Sequence, residues 1–127
     1  MTDFDPFDED VIRAVASEND VDIDLLREAL ADHQRTMRDN PGVEDLVYEW
    51  RKQYDDPVLA RTDALFVVSV PPTVWEQYGE HLDMETATLR AVTAAHQEQT
   101  LRMDAVSLDG MAVDHAALIA CRQTETK

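Results

Sequence analysis

The chain has 127 residues, with 11 Lys and Arg against 27 Asp and Glu for a formal net charge of −16. That length favours one domain, 1–127, burying roughly two-thirds of its unfolded surface, and 44% hydrophobic residues suffice for a core, which excludes a disordered chain. Met1–Asp10 is acidic, with neither a basic region nor an apolar core, and no apolar run approaches the roughly 18 residues of a membrane span, so a signal peptide and a membrane protein are both excluded.

The periodicity predicts a mostly helical chain. A short helix is expected from Asp8 to about Ser17, after the aromatic pair Phe4 and Phe7. Asp22 or Asp24 caps a second helix reaching about Asp39, with Leu25, Leu26, Ala29, Leu30, His33 and Met37 on one stripe, stopped by Asn40-Pro41-Gly42. In a third helix, Val43 to about Tyr54, the residues Val43, Leu46, Val47, Trp50 and Tyr54 recur at helical spacing, and Asp55-Asp56-Pro57 closes it. Ala64–Val70 is rich in β-branched and aromatic residues and reads as a buried strand ending at Pro71-Pro72. Pro72 or Thr73 opens a short helix to about Leu82, and a long one follows from Met84 to about Met103, with Leu89, Val92, His96, Thr100 and Met103 on one side. Val106–Leu108, the Asp109-Gly110 turn and Ala116–Arg122 are expected to add two strands, while residues 1–7 and 123–127 are expected to fray. The fold class is α+β, mostly α: about five helices with a small two- to three-stranded sheet.

An internal similarity runs through this order. Leu26-Arg27, Ala31 and His33-Gln34 recur as Leu89-Arg90, Ala94 and His96-Gln97, each 63 positions later, and Val11 and Asp20 recur as Val74 and Asp83. The recurrence predicts a pseudo-twofold pair of αα-hairpins whose long helices face each other.

Catalytic signatures are absent from the sequence. Gly42, Gly79 and Gly110 are too far apart for a phosphate-binding loop, Cys121 sits among apolar residues as a small core side chain, and Ser17, Ser69 and Ser107 lie in no nucleophile-elbow context. Neither an enzyme nor a cofactor is expected. The histidines carry the remaining chemistry. Projected at about 100° per residue, His33 and His96 face inward on equivalent helices, and with His81 they form a candidate metal set, although a hydrogen-bonded core role beside Gln34 and Gln97 explains them more simply. His115 is read as an exposed loop residue.

Two binding readings follow. The segment 11–38 has the apolar spacing of a helix-turn-helix, with Arg27, Gln34, Arg35 and Arg38 on the face away from the stripe, where a DNA-recognition helix carries its contacts. Its acidic flanks and the lack of a basic cluster elsewhere weigh against nucleic acid. The second reading is a non-catalytic interaction or regulatory module anchored by Tyr48, Trp50, Trp75 and Tyr78, with an unknown protein or a second copy of the chain, as a homodimer, for partner.

Composition also bears on setting. The acids are 17 Asp and 10 Glu, whereas the cations are 9 Arg and only 2 Lys. Such a surface resembles those of salt-in halophilic archaea, where molar KCl shortens the Debye length to about 3 Å. The block Asn40-Pro-Gly-Val-Glu-Asp-Leu-Val-Tyr-Glu-Trp50, the Arg61-Thr-Asp-Ala segment and the Pro72-Thr-Val-Trp75 helix start resemble a family of small uncharacterised haloarchaeal acidic proteins. That resemblance implies no particular activity, and a cytoplasmic protein is expected from the sequence's lack of a signal peptide or membrane span.

Overall fold

The computed structural model describes residues 7–39, 42–54, 57–62, 65–103 and 115–121. Among the described residues there are five helices: α1 (Glu9–Glu18), α2 (Ile23–Asp39), α3 (Val43–Gln53), α4 (Pro72–His81) and α5 (Thr86–Leu101). Three strands, β1 (Val58–Arg61), β2 (Leu65–Val70) and β3 (Ala116–Cys121), form one antiparallel sheet in the order β1-β2-β3. Each expected helix is found, with ends within about two residues of the sequence boundaries. Among the described residues, no helix is long and apolar enough to cross a membrane.

Local chemistry explains the helix ends. The Asp22 carboxylate accepts the Leu25 N–H at 3.1 Å and so caps α2. Pro72 opens α4, at a position where the missing N–H loses no helical bond. In α3, Glu44 and Asp45 occupy the first turn and Arg51 and Lys52 the last, in the sense that complements the helix dipole. The apolar stripes face inward: Val11, Ile12, Val15 and Ala16 are buried on α1, and Val43, Val47 and Trp50 on α3. Leu25, read as part of the α2 stripe, lies at its margin and is 45% exposed. Helix α5 is central, packing against α1, α2, α4 and β3, and Gly79 allows α4 close to it, since a Cβ there would stand 2.8 Å from Leu89 Cδ2.

The first helices of the two hairpins end alike. Helix α1 stops at a left-handed Asp20 (φ 55°) and α4 at a left-handed Asp83 (φ 57°). In the first, Val21 N–H donates to Ala16 O at 2.9 Å and Asp20 N–H to Ser17 O at 3.3 Å; in the second, Met84 N–H donates to Gly79 O at 2.8 Å and Asp83 N–H to Glu80 O at 3.2 Å. Both are Schellman closures, and every partner is displaced by the same 63 positions as the sequence similarity. The 63-residue recurrence therefore extends to individual cap hydrogen bonds. The pairing of the halves is not symmetric, however. Helix α1 lies against α5, whereas α4 meets α2 chiefly through the rings of Trp75 and Tyr78 on His33, with α3 alongside.

Strand β2 is buried along its whole length and pairs residue by residue with β3, from Leu65 opposite Cys121 to Val70 opposite Ala116. The tail strand expected at Ala116–Arg122 is thus real, and Cys121 is a buried core residue. The other expected tail strand, 106–108, and its turn lie outside the described residues. Strand β1 was not anticipated. It is four residues long, has a register irregularity between Val58 and Ala60, and shows no alternation, so pairing with β2 defines it and local pattern does not.

Left-handed aspartates are strained by about 1 kcal/mol relative to glycine. Asp20→Gly and Asp83→Gly are each expected to raise stability by about 0.5–1 kcal/mol, and Asp83→Val to lower it by more, as read from urea midpoints at fixed KCl.

Candidate functional site

The repeated His-Gln dipeptides meet at the outer edge of β3. Ala117 N–H donates to Gln97 Oε1 at 2.9 Å, Ile119 N–H to His96 Nδ1 at 2.9 Å, and Cys121 N–H to Gln34 Oε1 at 3.0 Å. Gln34 Nε2 returns a bond to Ile119 O at 2.7 Å. Side chains of α2 and α5 thus replace the neighbouring strand that an edge lacks. The core-histidine expectation holds for His96, which bonds the strand, but not for His33, both of whose ring nitrogens are buried without a hydrogen-bond partner.

Behind this edge lies a cluster of rings. Centroid separations are 5.2 Å for His33–His96, 5.0 Å for Trp75–His96 and 5.6 Å for His33–Trp75, and Phe7 stands edge-on to His96 at 4.9 Å. Burial holds the His33 pKa down at about 3; burial, then the charge of His33, holds that of His96 well below the ordinary range. Both rings are therefore neutral. Because His96 Nδ1 accepts from Ile119, its proton resides on Nε2, which is buried and unpartnered, as is Trp75 Nε1. The cluster offers two ring N–H donors from these residues, and one donor and one acceptor from His33.

That donor set does not fit the metal reading. A protonated Nε2 has no lone pair to give, and the lone pair of Nδ1 is engaged. His81 is on the exposed surface of α4, and among the described residues no three of His, Cys, Asp and Glu gather to hold an ion.

On the solvent side of the cluster, a cleft of about 620 Å³ opens between α2, α3 and α4. Leu46, Trp50, Val74 and Tyr78 form its apolar lining, and Asp32, Arg35, Gln77 and His81 supply polar groups. The Tyr78 ring is half-buried, 4.4 Å from that of His33, and its hydroxyl pKa is pushed up to about 12 by burial. Tyr78 is thus the wall shared by the cleft and the buried rings.

The aromatic anchors separate accordingly. Trp50 and Tyr78 border the cleft, and Trp75 is interior, in contact with both histidines. Tyr48 stands apart on the outer face of α3, 62% exposed, with Lys52 Nζ 5.2 Å from its ring centre. The face proposed for DNA recognition is not free as a unit. Gln34 is buried against β3, Arg27 is paired with Glu9 of α1, Arg35 with Asp32, and Arg38 is half-buried. Helical projection puts Gln34 off the apolar stripe, but a second layer, β3, covers that side of α2. His115 is likewise half-buried: its Nδ1 lies 3.0 Å from Ser69 Oγ and its ring 6.1 Å from that of Tyr54. The missed feature is the strand-edge role of Gln34 and Gln97, and its signal in the sequence is the repeated His-Gln pair.

Gln34→Ala strands a buried N–H and a buried C=O, so a loss of about 2–4 kcal/mol is expected; His96→Ala should lose a similar amount. His33→Phe removes two unpartnered polar atoms and is expected to change stability by less than about 1 kcal/mol, or to raise it. Denaturant titrations test this ordering. The pH dependence has a definite sign: the unfolded chain protonates His33 below its ordinary value of 6.5 and the folded chain resists to about 3, so stability falls as pH drops through that window. Between those limits the slope from His33 approaches about 1.4 kcal/mol per pH unit and vanishes in His33→Phe, and the difference between the two proteins removes the carboxylate contribution.

The family model described as "Domain of unknown function (DUF8048)" matches residues 5–121. No curated protein matches the chain, and no solved structure does. The matched span contains all five helices and all three strands, and the chain belongs to the DUF8048 family.

Proposed function

We propose that the protein is a non-catalytic interaction or regulatory module of a halophile cytoplasm, and that it engages a partner protein through the cleft between α2, α3 and α4. The observation that carries this reading is the cleft itself. Its volume falls in the range of ligand-binding pockets, and an apolar lining bordered by Gln77, His81 and the Asp32–Arg35 pair is the arrangement that seats an apolar side chain and orients it by polar contacts. Trp50 and Tyr78, two of the expected anchors, border it. The Asp-rich, Lys-poor composition supports a high-salt setting, where apolar contact outlasts screened charge.

Gln77 is exposed beside the cleft, so Gln77→Trp fills the opening without touching the core, and Tyr48→Ala alters an exposed aromatic elsewhere. In tagged capture at molar KCl, wild type and Tyr48→Ala are expected to carry a stoichiometric partner that Gln77→Trp loses. Retention by Gln77→Trp with loss by Tyr48→Ala would move the surface to the outer face of α3. Recovery of wild type alone as a monomer would refute the module reading, and recovery as a dimer that Gln77→Trp splits would make the partner a second copy.

A further inference from the structure

We propose that the group entering the cleft carries an uncharged hydrogen-bonding tip, of the phenol or carboxamide kind, which passes Tyr78 and bonds to a ring nitrogen of His33. The inference rests on the cleft reading and specifies its occupant.

Four ring nitrogens, His33 Nδ1 and Nε2, Trp75 Nε1 and His96 Nε2, are buried without hydrogen-bond partners. Native interiors leave few such groups, and these belong to three rings within 5.6 Å of one another by centroid. The rings pack edge-to-face, with interplanar angles of 73° for His33–His96 and 68° for Trp75–His96, an arrangement that supplies no conventional hydrogen bond. It gives nothing to the acceptor nitrogen of His33.

Tyr78 borders the cleft on one side and meets the His33 ring on the other. Helix α4 packs on α5 more than on α2, so in this proposal Tyr78 rotates to admit the tip without separating packed helices. A phenol hydroxyl or a carboxamide both donates and accepts, so it can donate to the acceptor nitrogen of a neutral imidazole or accept from its N–H, whichever of the two diverging ring nitrogens it meets. Charge is disfavoured at this depth. The buried polar residues described are His33, Gln34, Ser69, Thr88, His96, Gln99 and Thr100, with no carboxylate or permanent cation to pair an ionic tip.

The test uses p-cresol, which has the ring and the tip, toluene, which has the ring alone, and benzoate, which is charged, added to protein labelled with ¹⁵N throughout and observed by NMR. The expected result is that p-cresol moves both the cleft amides and the His33 ring nitrogens and binds about fivefold more tightly than toluene, as one neutral hydrogen bond implies. In His33→Phe that preference disappears while toluene still moves the cleft amides. If the variant does not fold, the wild-type ring-nitrogen shifts decide alone. Equal binding of p-cresol and toluene with unmoved His33 nitrogens, or stronger binding of benzoate, overturns the uncharged tip and leaves the cleft as the binding surface. No movement of cleft amides with any of the three overturns both.

Discussion

Three backbone N–H groups on the outer edge of β3 point away from β2 and into the helices, and supplying them with acceptors constrains much of the molecule. Ala117, Ile119 and Cys121 lie in the interior or at its margin, where an unpartnered N–H costs about 1–3 kcal/mol. Gln97, His96 and Gln34 meet them, so α2 and α5 must lie at one height along the strand and with one rotation about their axes. The same bonds place His33 and His96 ring to ring and bring Trp75 and Tyr78 of α4 against them. They also set the tautomer of His96, which makes the cluster rich in donors and unsuited to a metal ion.

The internal recurrence explains why one histidine is left over. Two hairpins with matching cap bonds each deliver a His-Gln pair, but the outer edge of β3 meets them with three N–H groups among the described residues. Both glutamines and His96 are used there, and His33 is buried with its hydrogen-bonding capacity unspent. The cleft arises from the same departure from symmetry. Where α1 lies against α5, its counterpart α4 stands off from α2, with α3 contributing Leu46 and Trp50 to the space between them. Departure from the repeat therefore creates both the cleft and the unpartnered histidine behind it.

Stability resides in the interior more than in surface charge. The ion pairs Arg27–Glu9, Arg35–Asp32 and Lys52–Glu49 are exposed, and pairs of that kind contribute roughly 0–1 kcal/mol each. With 27 acids and 11 cations, most carboxylates have no cation to neutralise them, so added salt relieves net repulsion more than it weakens these pairs. Against that surface, a core with neutral histidines and side-chain acceptors for a strand edge is insensitive to salt and sensitive to acid.

The sequence by itself determined whatever depends on neighbours a few residues away. The stripe of α3, the caps of α2 and α4, the burial of β2 and the inward direction of His33 and His96 were all legible, because periodicity and capping are local. The recurrence of Asp20 as Asp83 was visible too, although its meaning as a left-handed closure was not. Only the tertiary structure decided features that depend on a second layer. Strand β1 exists because β2 pairs with it, and Gln34 is interior because β3 covers the side of α2 that projection leaves to solvent. Trp75 became core because α4 sets it on the histidines of α2 and α5, whereas the exposure of Tyr48 already follows from its place off the α3 stripe. The cleft and the cluster behind it lie beyond any local signal, since both are produced by where α3 and α4 come to rest against α2.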